Sequence, residues 1–150
     1  MIGDGNVKKQ FVEEAEALGL DNIQFYPLQP IDLVPDVYST CDLCLIPLMK
    51  GVIGNGVPSK AAILMACKRP IITSVEGNSH YAKMFSEYNM GVAVDIFDND
   101  KLAAEIVRLY ENPELMKEMA ENAYVYGQEN YSSTAGTRKL MDIFESVAKK

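Results

Sequence analysis

Short apolar runs alternate with segments of helical periodicity along most of this chain. Residues 43–48 and 70–73 are nearly pure apolar runs, typical of strands buried on both faces. Residues 60–67, which lie between them, are apolar all round and predict a buried helix. Strands joined through helices of about ten residues imply right-handed crossovers and a parallel sheet. The alternation therefore predicts an α/β fold, with a Rossmann-like parallel sheet flanked by helices.

The same reasoning places the other elements. Apolar residues from Val7 to Leu18 recur at helical spacing, and Gly19 is expected to end that helix. The remaining predictions are strands at residues 23–26 and 91–94, helices at 31–40, 79–88 and 99–110, a helix starting at Pro113, and a last helix capped by Ser132 or Ser133 and ending near residue 148. The last third is thus predicted to be helical and to cover the sheet.

Charge and composition exclude several classes of protein. The chain has 150 residues and a net charge of −7, the opposite sign to that required for nonspecific nucleic-acid binding. No apolar run is long enough to cross a bilayer, and the first residues do not resemble a signal peptide. Three cysteines, an odd number, are interpreted as thiols in a reducing cytoplasm. The expectation is a cytoplasmic protein.

The predicted topology indicates where a ligand would bind. In a parallel sheet ligands lie beyond the carboxyl ends of the strands. Those ends here lead into four loops, at residues 3–6, 26–29, 49–59 and 74–79. The loop at 49–59 contains three glycines and a proline, the most unusual composition in the chain.

Neither common phosphate-binding motif is complete in these loops. Gly3-x-Gly5 would need a glycine at position 8 for the dinucleotide fingerprint, where Lys8 stands. Gly51 and Gly56 have the P-loop spacing, but Val57 and Pro58 replace the required Lys and Ser or Thr.

Residues 54–60 nevertheless have the features of a diphosphate site. Gly54 and Gly56 would let the backbone approach a ligand, and Ser59 is expected to cap the following helix. Lys60 then lies in the first turn, where the helix dipole disfavours a cation unless an anion is bound. A flexible loop with a solvated lysine explains the same residues equally well.

Other chemistry-bearing residues have simpler explanations. His80 is interpreted first as polar surface and second as pocket lining. Cys41 and Cys44 have redox spacing but, with no basic residue nearby, are interpreted as core thiols. The carboxylates of Glu13 and Glu14 are placed on a solvent face, and no metal site is expected.

An ordered set of motifs resembles a known family. The set is Gly3-Asp4-Gly5, Ile23-Gln24-Phe25, Cys41-Asp42-Leu43, Gly54-x-Gly56-Val57-Pro58-Ser59-Lys60 and Met65-Ala66-Cys67-Lys68-Arg69-Pro70-Ile71-Ile72. It resembles the carboxy-terminal, donor-binding domain of GT-B glycosyltransferases, of the retaining group 1 type that assembles bacterial polysaccharides and lipid-linked glycans. The resemblance implies one donor-binding domain over residues 1–150, truncated at its amino terminus.

The resemblance also implies roles for individual residues. Asn55 and Lys60 would be the catalytic residues, and no metal or other cofactor is implied beyond the nucleotide-sugar substrate. The residues implied to contact the donor are Gly3, Gly5, Tyr26, Pro27, Leu28, Gly54, Gly56, Val57 and Ser59. Of these, Tyr26, Pro27 and Leu28 would lie near the base, largely through their backbone.

The chain departs from the family pattern in two ways. Two glutamates common in the family are Asn55 and Ile63 here; Asn55 can still bond a sugar, but Ile63 cannot bind ribose. The family's basic diphosphate clamp and its acceptor domain precede Gly3, so the expectation is a fragment that is inactive alone.

Three functions are weighed on this basis. The first is the donor-binding part of a glycosyltransferase, whose acceptor is a saccharide or lipid-linked sugar and whose full-length form associates peripherally with the inner face of the membrane. The alternatives are a nucleotide-sugar epimerase of similar architecture, using Asn55 and His80, and a noncatalytic nucleotide-sugar or partner-binding module. An unpaired sheet edge would also favour a dimer.

Overall fold

The computed structural model describes residues 1–52 and 56–148. Its contacts divide the chain into two compact units, Met1–Val37 and Tyr38–Lys150.

The first unit is built around one helix. This helix, α1, spans Lys8–Ala17 and ends through Leu18 and Gly19, whose φ of +64° confirms the predicted helix end. A 3-10 turn at Ile31–Leu33 follows, and α2 (Val34–Ser39) carries the chain into the second unit.

The strand predicted at residues 23–26 is wrong. Only one parallel bridge forms there, between Ile2 and Tyr26. A strand needs a neighbour along several residues, and among the described residues this segment pairs only around Ile2.

The second unit alternates strands and helices. Its elements are β1 (Cys44–Pro47), α3 (Ser59–Ala66), β2 (Ile71–Ser74), α4 (His80–Tyr88), β3 (Gly91–Val94), α5 (Asn99–Tyr110), α6 (Pro113–Asn130) and α7 (Ser133–Ala148). The described strands form one parallel sheet in the order β1-β2-β3, with Ile71 opposite both Cys44 and Gly91. The predicted α/β fold with a parallel sheet and a helical last third is confirmed.

Burial differs between the strands. All of β2 is buried, as its apolar run predicts. In β1, Cys44 and Ile46 enter the core but Leu45 is 43% exposed, so burial on both faces was a wrong prediction for this strand. β1 lies at the edge of the described sheet, and the described helices leave its Leu45 side uncovered.

Helix α3 is also less buried than its composition predicts. Ala61, Leu64 and Met65 are in the core, but Ile63 is 41% exposed. The packed side faces α6, where a methyl group added at Gly127 would lie 2.8 Å from Met65 Cβ. One helix neighbour therefore covers one side of α3, which leaves Ile63 outside the contact.

The helices of the last third pack in sequence. Both α5 and α6 contact β3, which confirms that they cover part of the sheet, and α7 contacts α6. The predicted starts are also confirmed: Pro113 is the first residue of α6, and Ser132 Oγ accepts the Ala135 N–H ahead of α7. No helix of the described residues is both long and apolar enough to cross a membrane.

Candidate functional site

The carboxyl ends of the three strands meet at one edge of the sheet. Leu48 N donates to Ser74 O at 2.9 Å, and Val75 N donates to Val94 O at 2.9 Å, so the pairing continues one residue beyond each strand. Because the strands are parallel, the loops that lead to α3, α4 and α5 all leave from this edge. These loops are therefore where a ligand would be expected.

Two of the three helices start with a side-chain cap. Ser79 Oγ accepts the Ala82 N–H at 3.1 Å at the start of α4. Asp98 Oδ1 accepts the Lys101 N–H at 3.0 Å at the start of α5. Each cap satisfies one of the N–H groups that a helix leaves open in its first turn.

Helix α3 starts without such a cap. The capping position is Pro58, with φ −59° and ψ 133°, and no side chain bonds the first turn. The prediction that Ser59 is the cap is wrong, because Ala61 N already donates to Pro58 O at 2.9 Å and Ser59 is the first helical residue. In the described part of the chain, the Ser59 and Lys60 N–H groups have no acceptor.

Lys60 adds a positive charge to this open helix end. Its side chain is exposed, and no carboxylate of the described residues pairs with it. A cation at this end of a helix costs a few tenths of a kcal/mol, and a bound anion would reverse that sign. The open amides and the ammonium are together suited to an anion.

The loop before α3 is anchored on both sides of its centre. Gly51, at φ +77°, donates its N–H to Glu76 Oε2 at 3.0 Å, which ties this loop to the one after β2. Val57 and Leu48 pack against the core cluster, and Gly56 is exposed. Gly54 and Asn55, both predicted site residues, lie outside the described residues.

The predicted base-binding residues belong to the first unit. Gly3, with φ +145°, donates its N–H to Tyr26 O at 3.2 Å, and Tyr26 N donates to Met1 O at 2.8 Å. Gly5 O accepts the Lys8 N–H at 2.9 Å, which starts α1. These bonds bring the glycine turn and Tyr26 together within the first unit.

Most backbone groups of Tyr26, Pro27 and Leu28 already have partners. Pro27 O accepts from the Gln29 side chain at 2.9 Å, and Leu28 N donates to Asp4 Oδ2 at 2.8 Å. Proline has no N–H. Of these three residues, only the Leu28 carbonyl has no backbone or side-chain partner among the described residues. A base read through this backbone would have to use mainly that carbonyl.

Sequence reasoning missed Asp4 and Lys8. Lys8 Nζ lies 2.9 Å from Asp4 Oδ1 and 3.1 Å from Tyr26 O. The Leu28 N–H, and then Lys8, hold the pKa of Asp4 below its usual value. The detectable signal was their spacing of four residues, which allows an ion pair in a helical turn.

The cysteines form no disulfide. Burial is the main cause that raises the pKa of Cys44 to about 12, and burial also raises the pKa of Cys67. The statement that no basic residue is near was wrong, because Arg69 Nη1 donates to Cys41 O at 3.0 Å. Arg69 precedes β2, and the pairing of β2 with β1 brings its side chain close to Cys41. Its guanidinium bonds the Cys41 carbonyl and not the thiol.

The other candidates lie at the surface. Glu13 and Glu14 are exposed on α1, as predicted, and His80 is exposed at the first position of α4. Ile63 presents an apolar side chain on the exposed side of α3, with no group that could bond a ribose hydroxyl. Among the residues that the structure describes, no group of three His, Cys, Asp or Glu could hold a metal ion.

Comparison with known sequences identifies a family match. The model of the glycosyl transferases group 1 family matches residues 1–126. The alpha-D-kanosaminyltransferase of Streptomyces kanamyceticus is 25% identical over 149 residues, which is 98% of this chain and 37% of that protein. The probable glycosyltransferase WbjE of Pseudomonas aeruginosa is 31% identical over 94 residues, 60% of this chain and 22% of that protein. The chain thus spans well under half of these relatives.

Solved structures show the same fold. The Anabaena protein Alr3699/HepE, crystallised with UDP-glucose, has a TM-score of 0.76 and 18% identity, over 97% of this chain and 40% of that chain. Sucrose-phosphate synthase of Thermosynechococcus elongatus has a TM-score of 0.77 and 18% identity, over 97% of this chain and 35% of that chain.

Proposed function

Because the chain belongs to the group 1 glycosyl transferase family, we propose that it is the donor-binding part of an enzyme that moves a sugar from a nucleoside-diphosphate-sugar. The acceptor would be a saccharide or a lipid-linked sugar, bound outside this chain. Residues 1–150 would form one such domain. The similarity to a protein crystallised with UDP-glucose supports this class of donor.

The observation that carries the proposal is the open start of α3. It lies at the carboxyl edge of the sheet, the Ser59 and Lys60 amides have no acceptor in the described chain, and Lys60 has no counter-ion there. A diphosphate would supply both the acceptors and the negative charge that this helix end lacks.

The chemistry follows from charge development on the leaving group. When the bond between the sugar C1 and the phosphate oxygen breaks, the electron pair stays on the diphosphate and its negative charge grows. The Ser59 and Lys60 amides and the Lys60 ammonium would stabilise that charge, by a few kcal/mol at most for each donor. We therefore assign Lys60 a catalytic role that needs no metal cofactor.

The remaining donor contacts are assigned by position. Asn55 would bond the sugar, Gly54, Gly56 and Val57 would allow close approach of the backbone, and the segment Tyr26-Pro27-Leu28 would lie beside the base. Since Ile63 cannot bond the ribose, the second unit would hold the donor mainly through its diphosphate. Cysteines without disulfides suit a reducing compartment, so we place the enzyme in the cytoplasm.

The test is a thermal-shift titration with millimolar UDP, GDP and ADP. A nucleotide at about a hundred times its Kd should raise the Tm by about 5 to 10 °C. Lys60→Ala should remove most of that shift. Lys101→Ala is the matched control, because Lys101 is also exposed in the first turn of a helix, but that helix is capped by Asp98.

Two results would count against the proposal. One is the absence of any shift with all three nucleotides. The other is a nucleotide-induced rise in Tm that is as large in Lys60→Ala as in Lys101→Ala.

A further inference from the structure

One side-chain network joins two parts of the first unit that lie far apart in sequence. The glycine turn before α1 and the segment Tyr26-Pro27-Leu28 are paired by a single backbone bridge, at Ile2 and Tyr26. Both backbone hydrogen bonds of this bridge are made by Tyr26, so Pro27 and Leu28 have no backbone pairing with the glycine turn. Additional contacts must therefore determine the path of residues 26–28.

Asp4 and Lys8 supply those contacts. One carboxylate oxygen of Asp4 accepts the Leu28 N–H at 2.8 Å, and the other lies 2.9 Å from Lys8 Nζ. The same ammonium donates to Tyr26 O at 3.1 Å. The pair thus bonds the segment at both ends, at the Leu28 N–H and at the Tyr26 carbonyl.

A second ion pair on the same helix shows what an ordinary pair does here. Lys9 and Glu13 are also four residues apart, but their charged atoms lie 3.6 Å apart and their side chains are 88% and 63% exposed. The Lys8 side chain is only 29% exposed. Neither Lys9 nor Glu13 is bonded to residues 26–28. Lys9 and Glu13 therefore form an ordinary surface ion pair, whereas Asp4 and Lys8 also hold the segment.

We infer that Asp4 and Lys8 are positioning residues, which fix the Tyr26-Pro27-Leu28 backbone in the form that receives the nucleobase. This inference rests on the proposed function. By engaging the Leu28 N–H and the Tyr26 carbonyl, the pair keeps both groups from the ligand and leaves the Leu28 carbonyl exposed to it. Loss of the pair would misplace the base contact while leaving every residue of the second unit unchanged.

The experiment measures UDP and pyrophosphate affinity by isothermal titration. Asp4→Ala should weaken UDP binding about tenfold, because the released segment must then be ordered on binding, at about the cost of the hydrogen bond that held it. It should leave pyrophosphate affinity unchanged, because pyrophosphate has no base. Asp4→Asn keeps an oxygen for the Leu28 N–H and should retain affinity within about threefold of wild type. Glu13→Ala is the matched control and should bind both ligands as wild type does.

Hydrogen exchange provides a readout that does not depend on nucleotide binding. The Leu28 amide should be protected in the wild type and in Asp4→Asn, and should exchange faster in Asp4→Ala. Lys8→Met, which keeps the Asp4 bond to Leu28 but loses the bond to Tyr26 O, should weaken UDP binding less than Asp4→Ala.

The outcomes separate the two claims. If wild type binds UDP and Asp4→Ala binds it equally well, the positioning role is wrong and the proposed function stands. Equal weakening of UDP and pyrophosphate would also overturn the positioning role, since it would indicate a general structural defect. If wild type binds neither UDP, GDP nor ADP, the proposed function itself fails.

Discussion

Helix α3 and the two helices that follow it leave the sheet at the same edge but start differently. In α4 and α5 a side-chain oxygen, Ser79 Oγ or Asp98 Oδ1, accepts the N–H of the third helical residue. In α3 the corresponding residue is Pro58, which has no polar side-chain atom, and the third N–H, that of Ala61, bonds the Pro58 backbone oxygen instead. All three helices leave their first two N–H groups without an acceptor among the described residues, so α3 differs in lacking a side-chain cap and in carrying Lys60 at its open end.

The difference shows how one edge of a sheet can combine stability with binding. A side-chain cap contributes about 1 kcal/mol to the free energy of unfolding, so a helix without one is measurably less stable. That contribution is missing at α3, where Lys60, which has no counter-ion in the described part of the chain, adds a positive charge to the open amides. Four sets of variants test the sheet that carries these helices, the caps at their first residues and the buried hydroxyls beside α4.

The largest expected effect comes from disrupting the pairing of β2 with β3 where the two strands begin. Gly91 starts β3 with φ +146°, and a Cβ there would lie 2.0 Å from Ile71 O. Gly91→Ala should therefore cost about 3 kcal/mol or more of unfolding free energy, measured by urea denaturation. Gly136→Ala, in α7 with open space around it, should instead stabilise by about 0.5 to 1 kcal/mol. Equal effects of the two changes would contradict this packing.

Giving α3 a cap should remove the contrast. Pro58→Asp places a carboxylate at the capping position, where it can accept a first-turn N–H and interact favourably with the helix dipole. The protein without ligand should gain about 1 kcal/mol of stability, while UDP affinity falls about tenfold because the new charge competes with the diphosphate. Calorimetry and urea denaturation measure the two quantities. An unchanged affinity would mean that nucleotides do not use this helix end.

Removing the caps of the other two helices measures the opposite side. Ser79→Ala and Asp98→Ala should each cost about 1 kcal/mol, since each leaves a first-turn N–H without its acceptor. UDP affinity should stay at the wild-type value in both. If either variant is fully folded and yet binds UDP more weakly, the ligand site lies at the start of α4 or α5 and not at α3.

The smallest expected effect is at Tyr81, the second residue of α4. Its hydroxyl is buried with no hydrogen-bond partner among the described residues, and burial, opposed by the nearby Thr73 hydroxyl, raises its pKa to about 12. Tyr81→Phe should change stability by less than about 0.5 kcal/mol, because the contact with Thr73 falls short of a hydrogen bond. Thr73→Val, which removes the 2.9 Å bond to Ile46 O, should cost about 1 kcal/mol. A larger loss from Tyr81→Phe would show an unrecognised partner.

The sequence predicts the interior of the fold better than its rim. The strands at Ile71–Ser74 and Gly91–Val94 and the helices from α4 to α7 follow from apolar runs, caps and Pro113, all of which are local signals. The errors at Leu45 and Ile63 concern which side of an element is covered. Composition cannot tell that, because coverage depends on how many neighbours the fold supplies.

For the candidate site, the sequence locates the loops but not their bonds. It identifies Lys60 and the glycine-rich stretch, yet places the cap of α3 at Ser59 instead of Pro58. It does not find Asp4 or Glu76, because their partners Leu28 and Gly51 lie 24 and 25 residues away. Contacts of that length follow from the folded path of the chain, which no local pattern encodes.

The most direct test of the open helix start is an amide chemical-shift titration with UDP. Six backbone amides at matched positions report on the three helices: Ser59 and Lys60 for α3, His80 and Tyr81 for α4, and Asn99 and Asp100 for α5. We expect Ser59 and Lys60 to shift most, because the Lys60 ammonium draws the diphosphate to α3, while the other four amides barely move. The largest shifts at α4 or α5, or none at Ser59 and Lys60 under saturating UDP, would contradict the proposed site.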